Sequence, residues 1–413
     1  MAENKKAPKD FMKKKMYDVT ITLDPQDLPE DQRKKKIKNV GLIGEFLFYR
    51  SNLKDHTDEV GMVEQDQMFP PASYEEGMSS IAGRYYKEMS WNRSKGVYEI
   101  TLRLPAGVYA YGFVINGELV EAKMENPLAM ENLMTKDGAF HSLKEETPWI
   151  LDPKNMPYAP TKDGCQLKSE LYVGSPEEVS QLPARDPKVK GTLTYISYDD
   201  ILGEVRTMGV YLPAGYDRNG EYPLILASHG GAGNEVDWFS QGGLANIMDN
   251  LIAGKQTEPA IVVTMNNSVY DWDFAMIDQN VIQCILPLLR QLFAVTEDPM
   301  RMAYCGLSLG SMTAMYTYMH HPERFQYFGC FSAGYAGGEG FTLENPRLKD
   351  VTLMIGCAEE DISYNERDIG TPPTIRALKA KGLPYIPYFV PGSHDWFCWP
   401  EMFRHFAQEI LWK

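Results

Sequence analysis

Residues 303–312 read Ala-Tyr-Cys-Gly-Leu-Ser-Leu-Gly-Ser-Met. A short apolar run ends in glycine, a serine stands between Gly306 and Gly310, and a helix-forming stretch runs on to Pro322. This order restricts the local fold. The run Arg-Met-Ala-Tyr-Cys-Gly reads as a strand end, the stretch from Ser311 as a helix stopped by proline, and Ser308 as the turn between them. The flanking glycines suit such a turn, because a Cβ would clash where strand and helix approach and the backbone needs unusual dihedrals. Two readings fit: a tight turn without chemistry, or an elbow that lifts a serine hydroxyl to the top of a sheet.

The surrounding residues place this turn in a larger pattern. Tyr-Pro-Leu-Ile-Leu-Ala-Ser-His-Gly-Gly and Pro-Ala-Ile-Val-Val-Thr-Met-Asn-Asn are continuous apolar runs ending in glycine or polar residues, as expected of strands buried on both faces. Gly-Thr-Leu-Thr-Tyr-Ile-Ser-Tyr-Asp and Glu-Val-Arg-Thr-Met-Gly-Val-Tyr-Leu-Pro read as paired strands. Phe274, Ile277, Val281, Ile285, Leu288, Leu289 and Leu292 recur at helical spacing, as do Phe403, Phe406, Ala407 and Ile410. Strands alternating with helices predict an α/β fold with a doubly wound, mostly parallel sheet over residues 187–413. Residues 37–145 differ. They alternate apolar and polar residues between turns at Pro105-Ala106-Gly107 and Asn116-Gly117, and Asn-Gly is a hairpin signal. They predict a small all-β sandwich, immunoglobulin-like in size. Residues 1–36 read as a lysine-rich polar tail with short ordered pieces, and the proline-rich residues 146–186 as a linker laid along a surface.

Composition sets limits on partners. With 413 residues, 44% apolar and 23% charged, the chain can bury a sizeable core in two domains. A formal charge of -15 argues against general nucleic-acid or anionic-membrane binding. No apolar run reaches the ~20 residues of a membrane span. The basic start lacks an apolar segment of the kind a signal peptide carries, so the expectation is a cytoplasmic protein as written, or a secreted one with its leader removed. Six cysteines, Cys165 among them, show no paired spacing, so no zinc site or disulfide framework is expected and the thiols read as free core residues.

A serine nucleophile needs a base, and in a sheet of this kind the order is nucleophile, acid, histidine. His320 and His321 lie at the far end of the elbow helix and His405 inside the last helix. His394 stands on the loop after the strand-like run Tyr-Ile-Pro-Tyr-Phe-Val and is the candidate base. The acid belongs on the loop after Val-Thr-Leu-Met-Ile-Gly, where Asp361 is favoured and Glu360 stays open. Asp395, adjacent to the histidine, is a poor orienter because neighbouring side chains on an extended loop diverge. Oxyanion donors are expected from the amides of Leu309 and Gly231, the latter in His229-Gly230-Gly231-Ala232-Gly233. Trp238, Trp272 and Trp396 fall on the same set of loops and are candidates for a substrate pocket.

Several of these motifs occur in order across residues 190–413, namely Ala-Ser-His-Gly-Gly-Ala-Gly, Val-Val-Thr-Met-Asn-Asn, Gly-Leu-Ser-Leu-Gly-Ser-Met, Ile-Gly-Cys-Ala-Glu-Glu-Asp and Pro-Gly-Ser-His-Asp-Trp. Together they resemble the bacterial esterases of the feruloyl esterase and esterase D type. That resemblance implies an α/β-hydrolase fold with a triad of Ser308, His394 and Asp361 and an oxyanion hole at Gly231 and Leu309. It also implies cleavage of feruloyl or acetyl esters of plant cell-wall polysaccharide fragments, without metal or cofactor. The extra acidic residue near Asp361 departs from the family pattern. Val-Gly-Leu-Ile-Gly-Glu-Phe and Leu-Pro-Ala-Gly-Val-Tyr-Ala-Tyr-Gly-Phe resemble, more loosely, the β-sandwich modules that precede such esterases and glycogen-branching enzymes. Acetyl xylan esterase, siderophore-ester hydrolase, acyltransferase and a non-catalytic carbohydrate-binding protein are the alternative functions.

Overall fold

A computed structural model describes residues 5–6, 13–50, 68–81, 83–122, 132–144, 150–155, 169–231, 233–364 and 370–413. Cys165, Ala232 and much of the expected linker lie outside these residues. The C-terminal part is built on one mixed, largely parallel sheet. Its strands, in chain order, are β1 (Thr192–Asp199), β2 (Val205–Leu212), β3 (Leu224–Ser228), β4 (Ile261–Met265), β5 (Met302–Leu307), β6 (Tyr327–Phe331), β7 (Thr352–Ala358) and β8 (Ile386–Val390). Across the sheet the order is β1-β2-β4-β3-β5-β6-β7-β8, with Lys5–Lys6 added beyond β8. β1 pairs antiparallel with β2, and β2 with β4; from β4 to β8 all pairs are parallel.

The apolar runs explain the layers. Every residue of β3, β4 and β5 is buried, because helices cover both faces of the sheet. The amphipathic segment from Phe274 folds as Phe274–Asn280, a π-turn Val281–Ile285 and Leu286–Leu292. Pro287 lacks the amide a regular helix needs at that position, which accounts for the local widening. Cys305, Cys330, Cys357 and Cys398 are buried free thiols, and Cys284 is half-buried.

The N-terminal region is all-β. The order of its larger sheet is Leu119–Glu121, Phe140–Leu143, Leu133–Met134, Arg84–Glu88, Val40–Gly44, Gly107–Ile115 and Ser169–Val173. Two strands come from segments that the sequence reading had outside the sandwich. Met16–Leu23, expected as tail, pairs along its whole length with Val97–Pro105. Ser169–Val173, expected as linker, pairs with Gly107–Tyr111. The reason is packing: Ile21, Leu23 and Val173 close the core of this region. Asn116 takes the left-handed conformation (φ 59°) that Asn-Gly allows, yet the strands on either side do not pair with each other. Its side chain instead accepts from the Lys38 amide at 2.6 Å and donates to the Lys36 carbonyl at 3.0 Å, tying down the approach to Val40–Gly44.

The two regions share a hydrophobic contact. Phe397, from the loop after β8, packs in the N-terminal core against Phe48 and Tyr109, at ring separations of 6.4 and 6.3 Å. Gln241 donates a hydrogen bond to Glu45 across the same boundary. The N-terminal region therefore braces the loop that carries His394.

Candidate active site

Ser308 lies between β5 and the helix Leu309–His320, with φ 51° and ψ −121°. A non-glycine residue holds such a conformation only where its surroundings enforce it. Here the enforcing contacts are backbone. A Cβ at Gly306 would stand 2.3 Å from the Gly310 carbonyl oxygen, and one at Gly310 2.3 Å from the Ser228 carbonyl oxygen. The Ser308 amide donates to the Phe331 carbonyl of β6 at 2.8 Å. The turn is thus clamped between the ends of β3, β5 and β6.

The loops after β7 and β8 meet beside it. The Glu359 and Glu360 amides donate to the Val390 and Gly392 carbonyls at 2.8 and 3.0 Å. This brings three side chains into one hydrogen-bonded line. His394 Nδ1 lies 2.8 Å from Asp361 Oδ1, and His394 Nε2 lies 3.0 Å from Ser308 Oγ. With Nδ1–H donating to the carboxylate, Nε2 is left to accept the serine proton. Asp361 Oδ1 also accepts from the Ser363 amide at 2.8 Å and the Ser363 hydroxyl at 2.7 Å. Burial alone would raise the Asp361 pKa; the charge and hydrogen bond of His394, with the other donors, outweigh it and hold the carboxyl below its ordinary value. The Trp399 ring meets His394 edge-on at 4.9 Å and limits how far the imidazole can swing.

Glu360 does not share this arrangement. It contributes through its backbone, whose carbonyl accepts the Ser393 hydroxyl at 3.2 Å. Asp395 turns away: its Oδ1 accepts the Phe397 and Cys398 amides at 2.8 and 3.1 Å and shapes the turn into the last helix.

The glycine loop after β3 lies directly against the serine. A Cβ at Gly230 would be 3.1 Å from Ser308 Cβ, and one at Gly231 3.2 Å from Leu309 Cδ1. Leu309 is the first residue of its helix, so its amide has no carbonyl within that helix to meet. His229 holds the loop in place. Its Nδ1–H donates to the Gly230 carbonyl at 2.7 Å, and its Nε2 accepts the Asn267 amide at 2.9 Å. Burial lowers its pKa to about 4, so it stays neutral and serves as a fixed strut.

The three tryptophans part company. Trp238 is fully buried, donates its indole N–H to the Ser228 carbonyl at 2.8 Å, and packs against Phe331 and Phe403. It supports the glycine loop from behind and does not line a pocket. Trp396 is half-buried, edge-on to Trp238 and Trp399 at 5.5 and 5.0 Å. Trp272 is half-buried on the segment after β4, where it and Asp271 both take positive φ (63° and 49°). Sequence reasoning missed Ser363 altogether; a serine two positions after an acid on a loop carries the signature of an ordinary turn. Among the described residues, no group of three or more His, Cys, Asp or Glu side chains could hold a metal ion, and no helix is long and apolar enough to cross a membrane.

Known proteins resemble this chain as follows. An endo-1,4-beta-xylanase/feruloyl esterase of Xylanibacter ruminicola is 28% identical over 289 residues, which is 63% of this chain and 39% of that protein. The chain spans less than half the length of the curated relatives it matches. Among solved structures, the feruloyl esterase module from Clostridium thermocellum complexed with sinapinate is 22% identical, with a TM-score of 0.45 over 62% of this chain and 92% of that one. The enterobactin esterase from Shigella flexneri is 17% identical, with a TM-score of 0.48 over 96% of this chain and 93% of that one. Residues 200–405 match the family described as putative esterase, and through them the chain belongs to that esterase family.

Proposed function

We propose that this protein is a serine carboxylesterase that hydrolyses hydroxycinnamoyl esters, feruloyl esters above all, of plant cell-wall polysaccharide fragments. The observation that carries the reading is the hydrogen-bonded line Ser308–His394–Asp361 beside a glycine loop. In this mechanism Ser308 Oγ attacks the ester carbonyl while His394 Nε2 takes its proton. Asp361 keeps Nδ1 protonated and stabilises the imidazolium that forms. The amides of Leu309 and Gly231 are the donors for the developing oxyanion. The carbonyl–alkoxy bond then breaks, and the proton on Nε2 passes to the departing alcohol oxygen. Water, deprotonated by the same nitrogen, hydrolyses the acyl-enzyme and releases the acid and free Ser308.

The feruloyl assignment is supported by the printed name of the xylanase/feruloyl esterase relative and by the half-buried Trp272 and Trp396, which offer aromatic surface for a planar acyl group. The test sets methyl ferulate beside p-nitrophenyl acetate, on the wild-type chain and on Ser308→Ala. Ferulate turnover that disappears in the variant supports the proposal. Turnover of acetate alone keeps the mechanism and replaces the acyl specificity by a small one. A Ser308→Ala variant that turns over either ester near the wild-type rate contradicts the mechanism.

A further inference from the structure

Asp361 is fully buried, yet all of its hydrogen bonds converge on one oxygen. Oδ1 accepts from His394, from the Ser363 amide and from the Ser363 hydroxyl. Oδ2 is buried and completes no hydrogen bond. A buried carboxylate oxygen left without a donor is costly and calls for an explanation. A second orphan lies in the same region. Ser332 is fully buried and its hydroxyl also completes no hydrogen bond.

Topology puts the two together. Ser332 follows β6, the strand between β5, which delivers Ser308, and β7, which delivers Asp361. Its amide donates to the Gly356 carbonyl of β7 at 2.8 Å, so its backbone is pinned to the acid's own strand. Its φ of +56° is the left-handed conformation that a serine adopts only under constraint. The hydroxyl is near enough to the Asp361 carboxyl to favour its charged form.

We propose that Ser332 is a positioning residue of the triad, its hydroxyl swinging onto Asp361 Oδ2 as His394 takes the proton from Ser308. The rotation is about the Cα–Cβ bond of Ser332, whose backbone is held to β7 through the Gly356 carbonyl. It gives the second carboxylate oxygen a donor at the moment when the pair's charge separation is greatest. The carboxylate plane is then held from both sides, by Ser363 on Oδ1 and by Ser332 on Oδ2, with the imidazole fixed in line with Ser308. The proposal rests on the reading of Ser308, His394 and Asp361 given above.

The test measures ester hydrolysis by Ser332→Ala and Ser332→Gly over a pH series, with Ser308→Ala alongside. Glycine removes the hydroxyl while suiting the left-handed backbone, so it separates loss of the donor from backbone strain. Both variants should lose about 10- to 100-fold in kcat, as expected for a hydrogen bond to a charged group, with KM little changed. The acid limb of kcat/KM belongs to the coupled His394–Asp361 pair. The hydroxyl bonds Oδ2 only when the imidazole carries the proton, so its loss disfavours the protonated pair and that limb should move to lower pH. A wild-type kcat in both variants, or a lower kcat with the acid limb unmoved, overturns the proposal. An active Ser308→Ala would remove the triad reading and this proposal with it. An inactive Ser308→Ala beside fully active Ser332 variants would remove this proposal alone.

Discussion

Replacing Asp361 by asparagine tests the electrostatics of the site with little change of shape. The carboxylate Oδ1 faces both His394 Nδ1 at 2.8 Å and the two Ser363 donors. An asparagine oxygen kept in that place puts an amide N–H2 in the buried position of Oδ2, an oxygen that completes no hydrogen bond in the wild-type chain. Turned over, the amide nitrogen faces His394 Nδ1 and forces the proton onto Nε2, which can then no longer accept one from Ser308. Either way the negative charge that stabilises the imidazolium is gone. Loss of the same role elsewhere lowers kcat about 10⁴-fold, equivalent to about 5 kcal/mol of barrier. Glu360→Gln is the matched control. The Glu360 carbonyl and amide tie the two loops together and survive the change, so its kcat should stay within about 2-fold of wild type. Steady-state hydrolysis of p-nitrophenyl acetate, with a thermal melt of each variant, measures both. A severe loss in Glu360→Gln beside a mild one in Asp361→Asn would refute the assignment of the acid.

Two further substitutions examine the supports. Gly310→Ala sets a methyl group 2.3 Å from the Ser228 and 2.4 Å from the His229 carbonyl oxygens, so the elbow and the glycine loop must separate. A kcat loss of about 10²-fold or more, the value of a single oxyanion donor, is expected, and unchanged turnover with an unchanged melt would contradict it. The Asp395 carboxyl is pushed up to about 7 by burial, against the opposing Phe397 and Cys398 amides. Its folded pKa lies above the unfolded value, so its contribution to stability is present below pH ~4 and lost as pH rises to about 7. About three pH units correspond to an upper figure of roughly 4 kcal/mol. Relative to wild type, Asp395→Asn should therefore gain unfolding free energy as pH rises from 4 to 7, and a flat difference in denaturant melts would contradict this.

The line Ser308–His394–Asp361 was legible because the order of strand, loop and helix dictates which side chains reach the sheet top. The apolar runs gave the strands, and each candidate sat one loop beyond its run. What escaped was decided by packing between distant segments. Trp238 stands in a loop of the sequence, yet Phe331 and Phe403 enclose it, and no local pattern encodes that contact. Met16–Leu23 did carry alternation, in Tyr17, Val19, Ile21 and Leu23, but the neighbouring lysines masked it. Ser332 and Ser363 are short polar loop residues, indistinguishable in sequence from turn formers. Asn116-Gly117 signalled its backbone conformation correctly but not its partner, since pairing depends on which strand arrives beside it.

The proposed mechanism requires Ser308 to be an activated nucleophile. Incubation with a fluorophosphonate, followed by intact-protein and peptide mass spectrometry, tests it most directly. One adduct per chain is expected, on Ser308, with its disappearance in Ser308→Ala and marked slowing in His394→Ala. An unlabelled chain, or an adduct that persists in Ser308→Ala, would contradict it.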